Sequence, residues 1–175
     1  YEIELTGVNI TAWEADNVSH GEDAREYVVV HNAVPGGLER TIVDRLEMDP
    51  TKIKNLKLTG SITNEDYIFM RDKMTSLQRL NLKEVESICE YLVDRYGTKY
   101  AQTYCIPANA LWNKTTLMKC VLPDKLERIE YDAFLNTSLT GAVLLPEGLT
   151  YVSGFQNTKS TSVQFPTTLE EIGDY

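Results

Sequence analysis

The stretches Pro123-x-x-Leu126-x-x-Ile129, Pro146-x-x-Leu149-x-x-Val152 and Pro166-x-x-Leu169-x-x-Ile172 repeat one spacing three times near the end of the chain. Each proline follows one or two apolar residues, Val121-Leu122, Leu144-Leu145 and Phe165. A unit therefore reads as a short buried strand, a proline that stops it, and a second apolar turn. One such unit has nothing to cover its apolar face, whereas a stack of them buries a continuous core. The repeat points to an architecture and hardly at all to a chemistry, so a binding or scaffold surface is expected in place of a catalytic centre.

Upstream the signature is more regular. Ile53-x-x-Leu56-x-Leu58 and Leu77-x-x-Leu80-x-Leu82 are superimposable at a distance of 24 residues, within the roughly 20–29 residue period of leucine-rich repeats. Leu117-x-x-Cys120-x-Leu122 continues the series, and the stretch from Leu139 to Val143-x-Leu145 holds one extra residue. Successive prolines lie 23 and 20 residues apart, so later rungs vary in length. The expected fold class is α/β, a right-handed leucine-rich-repeat solenoid over residues 35–175 preceded by a short N-terminal β segment, residues 1–34. In that segment Ile3, Leu5, Val8 and Ile10 alternate loosely, Glu14 to Glu26 is a polar loop, and Tyr27-Val28-Val29-Val30-His31 is a β-branched run. After Pro35-Gly36-Gly37, the spacing of Leu38, Ile42, Val43 and Leu46 predicts a helix over 38–47 that caps the first rung. Asn64 is placed to cap a second helix over 65–74, with Tyr67, Ile68, Met70 and Met74 partly inward. Val85, Ile88, Leu92 and Val93 suit a short helix inside the less regular stretch 83–105.

A specific resemblance rests on Ile106-Pro107-Ala108-Asn109-Ala110-Leu111-Trp112-Asn113, on Val121-Leu122-Pro123, and on Leu126-Glu127-Arg128-Ile129-Glu130-Tyr131-Asp132-Ala133-Phe134. These resemble the BspA-like leucine-rich-repeat surface proteins of Bacteroides-type bacteria. Lys54-Asn55-Leu56-Lys57-Leu58-Thr59-Gly60 and Leu77-Gln78-Arg79-Leu80-Asn81-Leu82 look like the leader segment of such proteins, so the likeness covers roughly residues 35–175. It departs at Ala110-Leu111, where the repeat usually has Ala-Phe, and at the short unit between Val152 and Gly154-Phe155-Gln156-Asn157. The resemblance implies export and display at the cell surface or secretion, with adhesion to a protein ligand, and membrane attachment only through an upstream lipid anchor. It implies no catalytic residues and no cofactor. The last unit ends at Ile172-Gly173-Asp174-Tyr175 where the unit after Ile129 continued, so the solenoid is expected to be truncated within its last repeat, as an excised or cleaved segment or one with a disordered remainder.

Composition agrees with a soluble interaction module. The 175-residue chain carries a formal charge of −9, and residues 1–50 hold eleven acids against three bases. Such a surface repels phosphate backbones, so no nucleic-acid partner is expected, and the acids read as a solvated face. No run approaches the ~20 apolar residues of a bilayer span. The three cysteines, Cys89, Cys105 and Cys120, leave two readings: Cys105 and Cys120 bridged between adjacent rungs, or all filling small apolar slots, as Cys120 does in a leucine position. With His20 and His31 in different contexts and no paired Cys-x-x-Cys, no metal site is expected. Nucleophile elbows, zinc-protease helices and phosphate loops are missing too, and the pairs Glu170-Glu171 and Glu84 with Glu86 sit in exposed turns, so the protein is expected not to be an enzyme. Four Asn-x-Ser/Thr sites, at Asn9, Asn17, Asn113 and Asn136, match the glycosylation pattern by chance in a bacterial product.

Two surfaces are candidates for ligand binding. In each Leu-x-Leu strand the middle residue points away from the core, so Lys57, Asn81, Val121, Leu144 and Gln164 should line the concave face, flanked by Thr59, Arg79, Lys83, Lys119 and Ser162. The stripe turns from basic and polar to apolar, which suits a protein or peptide partner and equally suits ordinary surface scatter. Tyr91, Tyr96, Tyr100 and Tyr104 crowd one insertion, where they form an aromatic contact surface or pack over the solenoid edge. The main functional expectation is a cell-surface or secreted module binding a protein or other macromolecular ligand; the alternative is a structural spacer or carbohydrate-binding module. A glycan platform would need Tyr100, Tyr104 or Trp112 exposed together.

Overall fold

A computed structural model describes residues 27–173 together with the backbone of Leu5 and Thr6. The strand expected through Val8 and Ile10, the polar loop Glu14 to Glu26, His20, and the Asn9 and Asn17 sequons fall outside the described residues. The first sheet contains β1 (Leu5–Thr6), β2 (Val28–Asn32), β3 (Asn55–Ile62), β4 (Arg79–Val93), β5 (Lys99–Thr103) and β7 (Lys119–Val121). β2, β3, β4 and β7 run parallel in register, aligning Val28, Leu56, Leu80 and Cys120 on one face. A second parallel sheet stacks β6 (Cys105–Ile106), β8 (Arg128–Ile129), β10 (Tyr151–Val152) and β12 (Glu171–Ile172). β9 (Thr140–Leu144) and β11 (Lys159–Gln164) form a third, parallel pair. The three repeat prolines behave as the sequence predicts, since each separates a strand of one sheet from the next strand of another.

One backbone handover recurs at the strand entries. Lys54 O accepts from the N–H groups of Gln78 and Arg79, Gln78 O from Met118 and Lys119, Tyr104 O from Glu127 and Arg128, Glu127 O from Thr150 and Tyr151, and Thr150 O from Glu170 and Glu171. Each rung thereby satisfies the carbonyl of the one before it. At one corner the chain turns left-handed at Asn113, Asn136 and Asn157, with φ of 58°, 60° and 54°. Asparagine tolerates that region better than most residues, and here it also bonds laterally: Asn136 Nδ2 donates to Asn113 Oδ1 at 2.7 Å and Asn157 Nδ2 to Asn136 Oδ1 at 3.1 Å. The sequons at Asn113 and Asn136 thus have their carboxamides engaged in a ladder. Beneath it Phe134 and Phe155 stack at 4.9 Å, and a single buried cluster runs from Val30 through Leu56, Leu80, Ile106, Phe134 and Val152.

Helix is scarcer than the α/β expectation. The turn predicted over 38–47 is present as a wide π-helical segment, Arg40–Arg45, closed by Leu46 N–H donating to Thr41 O, and it buries Leu38 and Ile42. α1 (Asn64–Asp72) starts one residue early, on Thr63, because Asn64 Oδ1 is taken by the Glu90 N–H at 2.8 Å. Tyr67, Phe69 and Met70 face inward, whereas Ile68 is exposed. The helix expected from Val85 to Val93 is instead the far half of β4, so the fold is mainly parallel strand. Apolar spacing there is also compatible with an alternating strand, and pairing with β5 decides the matter.

Two buried charges hold α1. Asp66 accepts from Gly36 N–H (2.8 Å), Leu38 N–H (2.9 Å), Thr63 N–H (3.0 Å) and Asn32 Nδ2 (3.3 Å). Burial pushes its carboxyl above the ordinary aspartate range, against the pull of those three backbone donors. At the other end Lys114 Nζ donates to Arg71 O (3.1 Å), a carbonyl in the last turn of the helix, and to Met74 O (2.5 Å), which also accepts from the Leu77 N–H. Burial lowers Lys114 to about 8, with Asp72 pulling the other way. Between about pH 8 and the ordinary 10.5 the unfolded chain keeps a proton that the folded chain has released, so this group's contribution to stability rises with pH through that window. The thermal midpoint of the wild type minus that of Lys114→Met should therefore climb across the window. A flat difference would show that the buried ammonium holds its proton normally.

Candidate functional site

Of the residues expected on the concave face, Lys57, Asn81 and Val121 share one register across β3, β4 and β7, and Leu144 pairs with Gln164 across β9 and β11. Its exposure departs from expectation. Lys57 is 5% exposed and Asn81 1%, and neither faces open solvent. Lys57 Nζ reaches Glu84 Oε1 at 3.3 Å, while Asn81 Oδ1 accepts from the Lys83 N–H at 2.9 Å. That second bond sits where β4 bulges, with Leu82 and Lys83 opposite Leu58 alone, and it turns β4 out of the rung. Of the flanking residues, Thr59 Oγ1 lies 2.9 Å from His31 Nδ1, and Arg79 is buried. Val121 is half-buried, Gln164 exposed, and Leu144 is 66% exposed, so the open part of the stripe is its apolar end.

The bulge carries β4 into the hairpin β4–β5, which bears Tyr91, Tyr96 and Tyr100. Leu92 pairs with Tyr100, and Asp94 closes the turn by accepting from the N–H groups of Tyr96 and Thr98, both at 2.8 Å. Those bonds, Thr98 foremost, hold its carboxyl below the ordinary range. Tyr91, Tyr96 and Tyr100 are exposed together with Val93, Tyr96 at 77%, and Arg95 lies 4.7 Å from the Tyr96 ring centre. Tyr104 departs from this group: it is half-buried, left-handed at φ 61°, and its carbonyl seats the next rung. Trp112, on the turn after β6, is 43% exposed and belongs to a different corner from the tyrosines.

A disulfide fastens the base of the hairpin. Cys89 in β4 and Cys105 at the start of β6 are bonded, with Cα atoms 5.6 Å apart and both residues fully buried. This corrects the Cys105 to Cys120 alternative. Cys120 lies in the first sheet beside Leu80, a different layer from Cys105, and is a free thiol that burial pushes up to about 12. Sequence separation alone ranks the two pairings equally, because the hairpin that folds Cys89 back onto Cys105 was not legible. Replacing both bonded cysteines by alanine should cost about 3 kcal/mol, the loop-closure value for this span, and should speed amide exchange across Tyr91 to Thr103. An unchanged urea midpoint would mean that strand pairing alone fixes the hairpin.

Among the described residues no group of three or more histidine, cysteine or acidic side chains is placed to hold a metal, and no helix is long and apolar enough to cross a membrane. Residues 104–175 match a family model described as a BspA type leucine rich repeat region, in six copies. No curated protein matches the chain. The match begins at Tyr104, where the hairpin rejoins the rungs, and takes in every strand of the second and third sheets. Over residues 104–175 the chain is therefore similar to BspA type leucine rich repeat regions.

Proposed function

We propose that this is an exported, non-enzymatic interaction module, a right-handed leucine-rich solenoid over residues 35–175 with residues 1–34 adding strand at its start, and that it binds a protein ligand. The observation that carries the reading is the β4–β5 hairpin, which presents Tyr91, Tyr96 and Tyr100 to solvent on a base locked by the Cys89–Cys105 disulfide. Tyrosine offers a broad apolar face with a polar end, and a pre-ordered hairpin loses little entropy on binding. A fully buried disulfide also supports an oxidising destination, since cytosolic thiols are kept reduced. The apolar end of the expected concave stripe, Val121 and Leu144 with Gln164, is a second contact region.

The test is binding of the purified chain to arrays of extracellular proteins and of glycans, beside a Tyr91→Ser/Tyr96→Ser/Tyr100→Ser variant. A protein hit that weakens about tenfold or more in the variant supports the reading. A hit indifferent to the three tyrosines would remove the hairpin from it. Exposure of Trp112 favours a second reading, a carbohydrate-binding module, which a glycan hit lost in Trp112→Ala would place first. Silence of a folded sample on both arrays would favour a structural spacer.

A further inference from the structure

The parallel ladder breaks between β7 and β9. Among the described residues β7 is paired on one side, to β4, and β9 on one side, to β11. At the break the handover is the Thr140 N–H donating to Met118 O at 3.1 Å. The sequence shows why the two strands part. Leu117-x-x-Cys120 becomes Leu139-x-x-x-Val143, and the extra residue falls beside Gly141, left-handed at φ 78°.

Between the strands lies a cavity of about 430 Å³, within the roughly 300–1,000 Å³ of small-molecule sites. Its walls are mainly apolar: Cys120 and Val121 on one strand, Val143 and Leu144 on the other, with Phe134 and Phe155 also on the lining. Burial keeps the Cys120 thiol protonated, so that wall carries no charge at neutral pH. Arg79, Lys83 and Lys119 touch the cleft as well, and each has an interaction of its own within the protein. The walls thus set the size and polarity of an occupant, and one directional group remains.

That group is Asn81, which also lines the cavity and pairs in register with Val121. Its side chain is 1% exposed. Its Oδ1 accepts from the Lys83 N–H at 2.9 Å, which fixes the orientation of the carboxamide, and its Nδ2 has no hydrogen-bond partner among the described residues. Buried polar groups are nearly always paired, so an idle amide donor beside an apolar cleft calls for an acceptor from outside. A pure hydrocarbon would leave the donor dry and unpaired. A sugar would set many hydroxyls against apolar walls. Water held by one donor on such walls is readily displaced by an apolar body that brings its own acceptor.

We propose that the cleft between β7 and β9 binds a small, neutral carbonyl compound, whose oxygen accepts from Asn81 Nδ2 while its hydrocarbon body lies between Val121 and Leu144. This site is separate from the tyrosine hairpin and goes beyond the protein-binding reading, adding a small-molecule ligand to the same chain.

The probe is benzylacetone, an aryl ketone, titrated into the whole chain and followed by heteronuclear NMR. Expected are saturable shifts at the Asn81 side-chain amide and at the backbone amides of Val121 and Leu144, with Tyr91, Tyr96 and Tyr100 unmoved. Butylbenzene, which has the body without the oxygen, should shift Val121 and Leu144 while leaving the Asn81 amide protons in place, a comparison that depends on no variant. Asn81→Asp keeps the size and the bond to Lys83 and turns the donor into an acceptor, so it should weaken benzylacetone at least about tenfold. Ala142→Trp, at an exposed position on the cavity lining, should abolish binding. Shifts that rise without saturating, shifts confined to residues outside the cleft, an Asn81 amide that responds equally to both probes, or undiminished affinity in a folded Asn81→Asp variant overturns the proposal. A silent ketone beside an intact tyrosine-dependent hit on the protein array removes the cleft and leaves the interaction module; saturable ketone binding beside a silent array does the reverse.

Discussion

Gly154→Ala should destabilise the repeat region by about 4 kcal/mol, the sum of a backbone penalty and a packing penalty. A Cβ there would lie 2.5 Å from Ala133 N, 2.9 Å from Glu130 O and 3.0 Å from Asp132 N, all backbone atoms of the preceding rung, and φ is 93°. The left-handed backbone costs an alanine roughly 1–2 kcal/mol, and displacing a packed rung adds about 1–3 kcal/mol. Gly141→Ala separates the two terms. It has a similar φ of 78° with nothing for a Cβ to touch, so it should cost only about 1 kcal/mol. Equal urea midpoints for the two variants would mean that the rungs yield easily and that the contact at Gly154 is soft.

Asp66→Ala should be comparably damaging, about 3–5 kcal/mol, because it strips an acceptor from three backbone N–H groups and the Asn32 amide at once. Those donors come from the turn after β2, from the residue before α1 and from β2 itself, so the carboxylate ties the first strand to the first helix. Asp66→Asn keeps one acceptor and should recover about half of the loss in equilibrium urea unfolding. A loss below about 1 kcal/mol for the alanine variant would show that water replaces the carboxylate without cost.

The repeat was legible because Leu-x-x-Leu-x-Leu and the prolines are periodic, and periodic apolar residues report burial directly. Leu56, Leu80, Leu126, Ile129 and Leu149 all lie in the core as that pattern requires. The family resemblance added residues 104–175, where the family model matches, and the surface and adhesion inferences drawn from it are those proposed above. What escaped were features set by pairing instead of period. Ile88 and Leu92 read as helix because four-residue spacing fits both states over so short a run, and only the partner strand β5 separates them. The disulfide followed from that hairpin, so it was missed with it. Lys57 and Asn81 share one register across β3 and β4, yet both are buried, with Lys57 reaching Glu84 beside the bulge at Leu82-Lys83, which no alternation rule foresees. Asp66 carried no signal beyond its place in the first turn of a helix.

The asparagine ladder through Asn113, Asn136 and Asn157 also favours one register of successive corners over its neighbours. Asn136 and Asn157 each donate to the corner before them, so a finished corner offers one specific socket, and the asparagine of the next corner plugs it. Repeats as alike as these invite misalignment, with one unit settling on the wrong neighbour during folding. A slip by a partial rung would set a leucine or a threonine against the waiting amide oxygen. The corners thus stay in step at separations of 23 and 21 residues although the rungs between them differ in length.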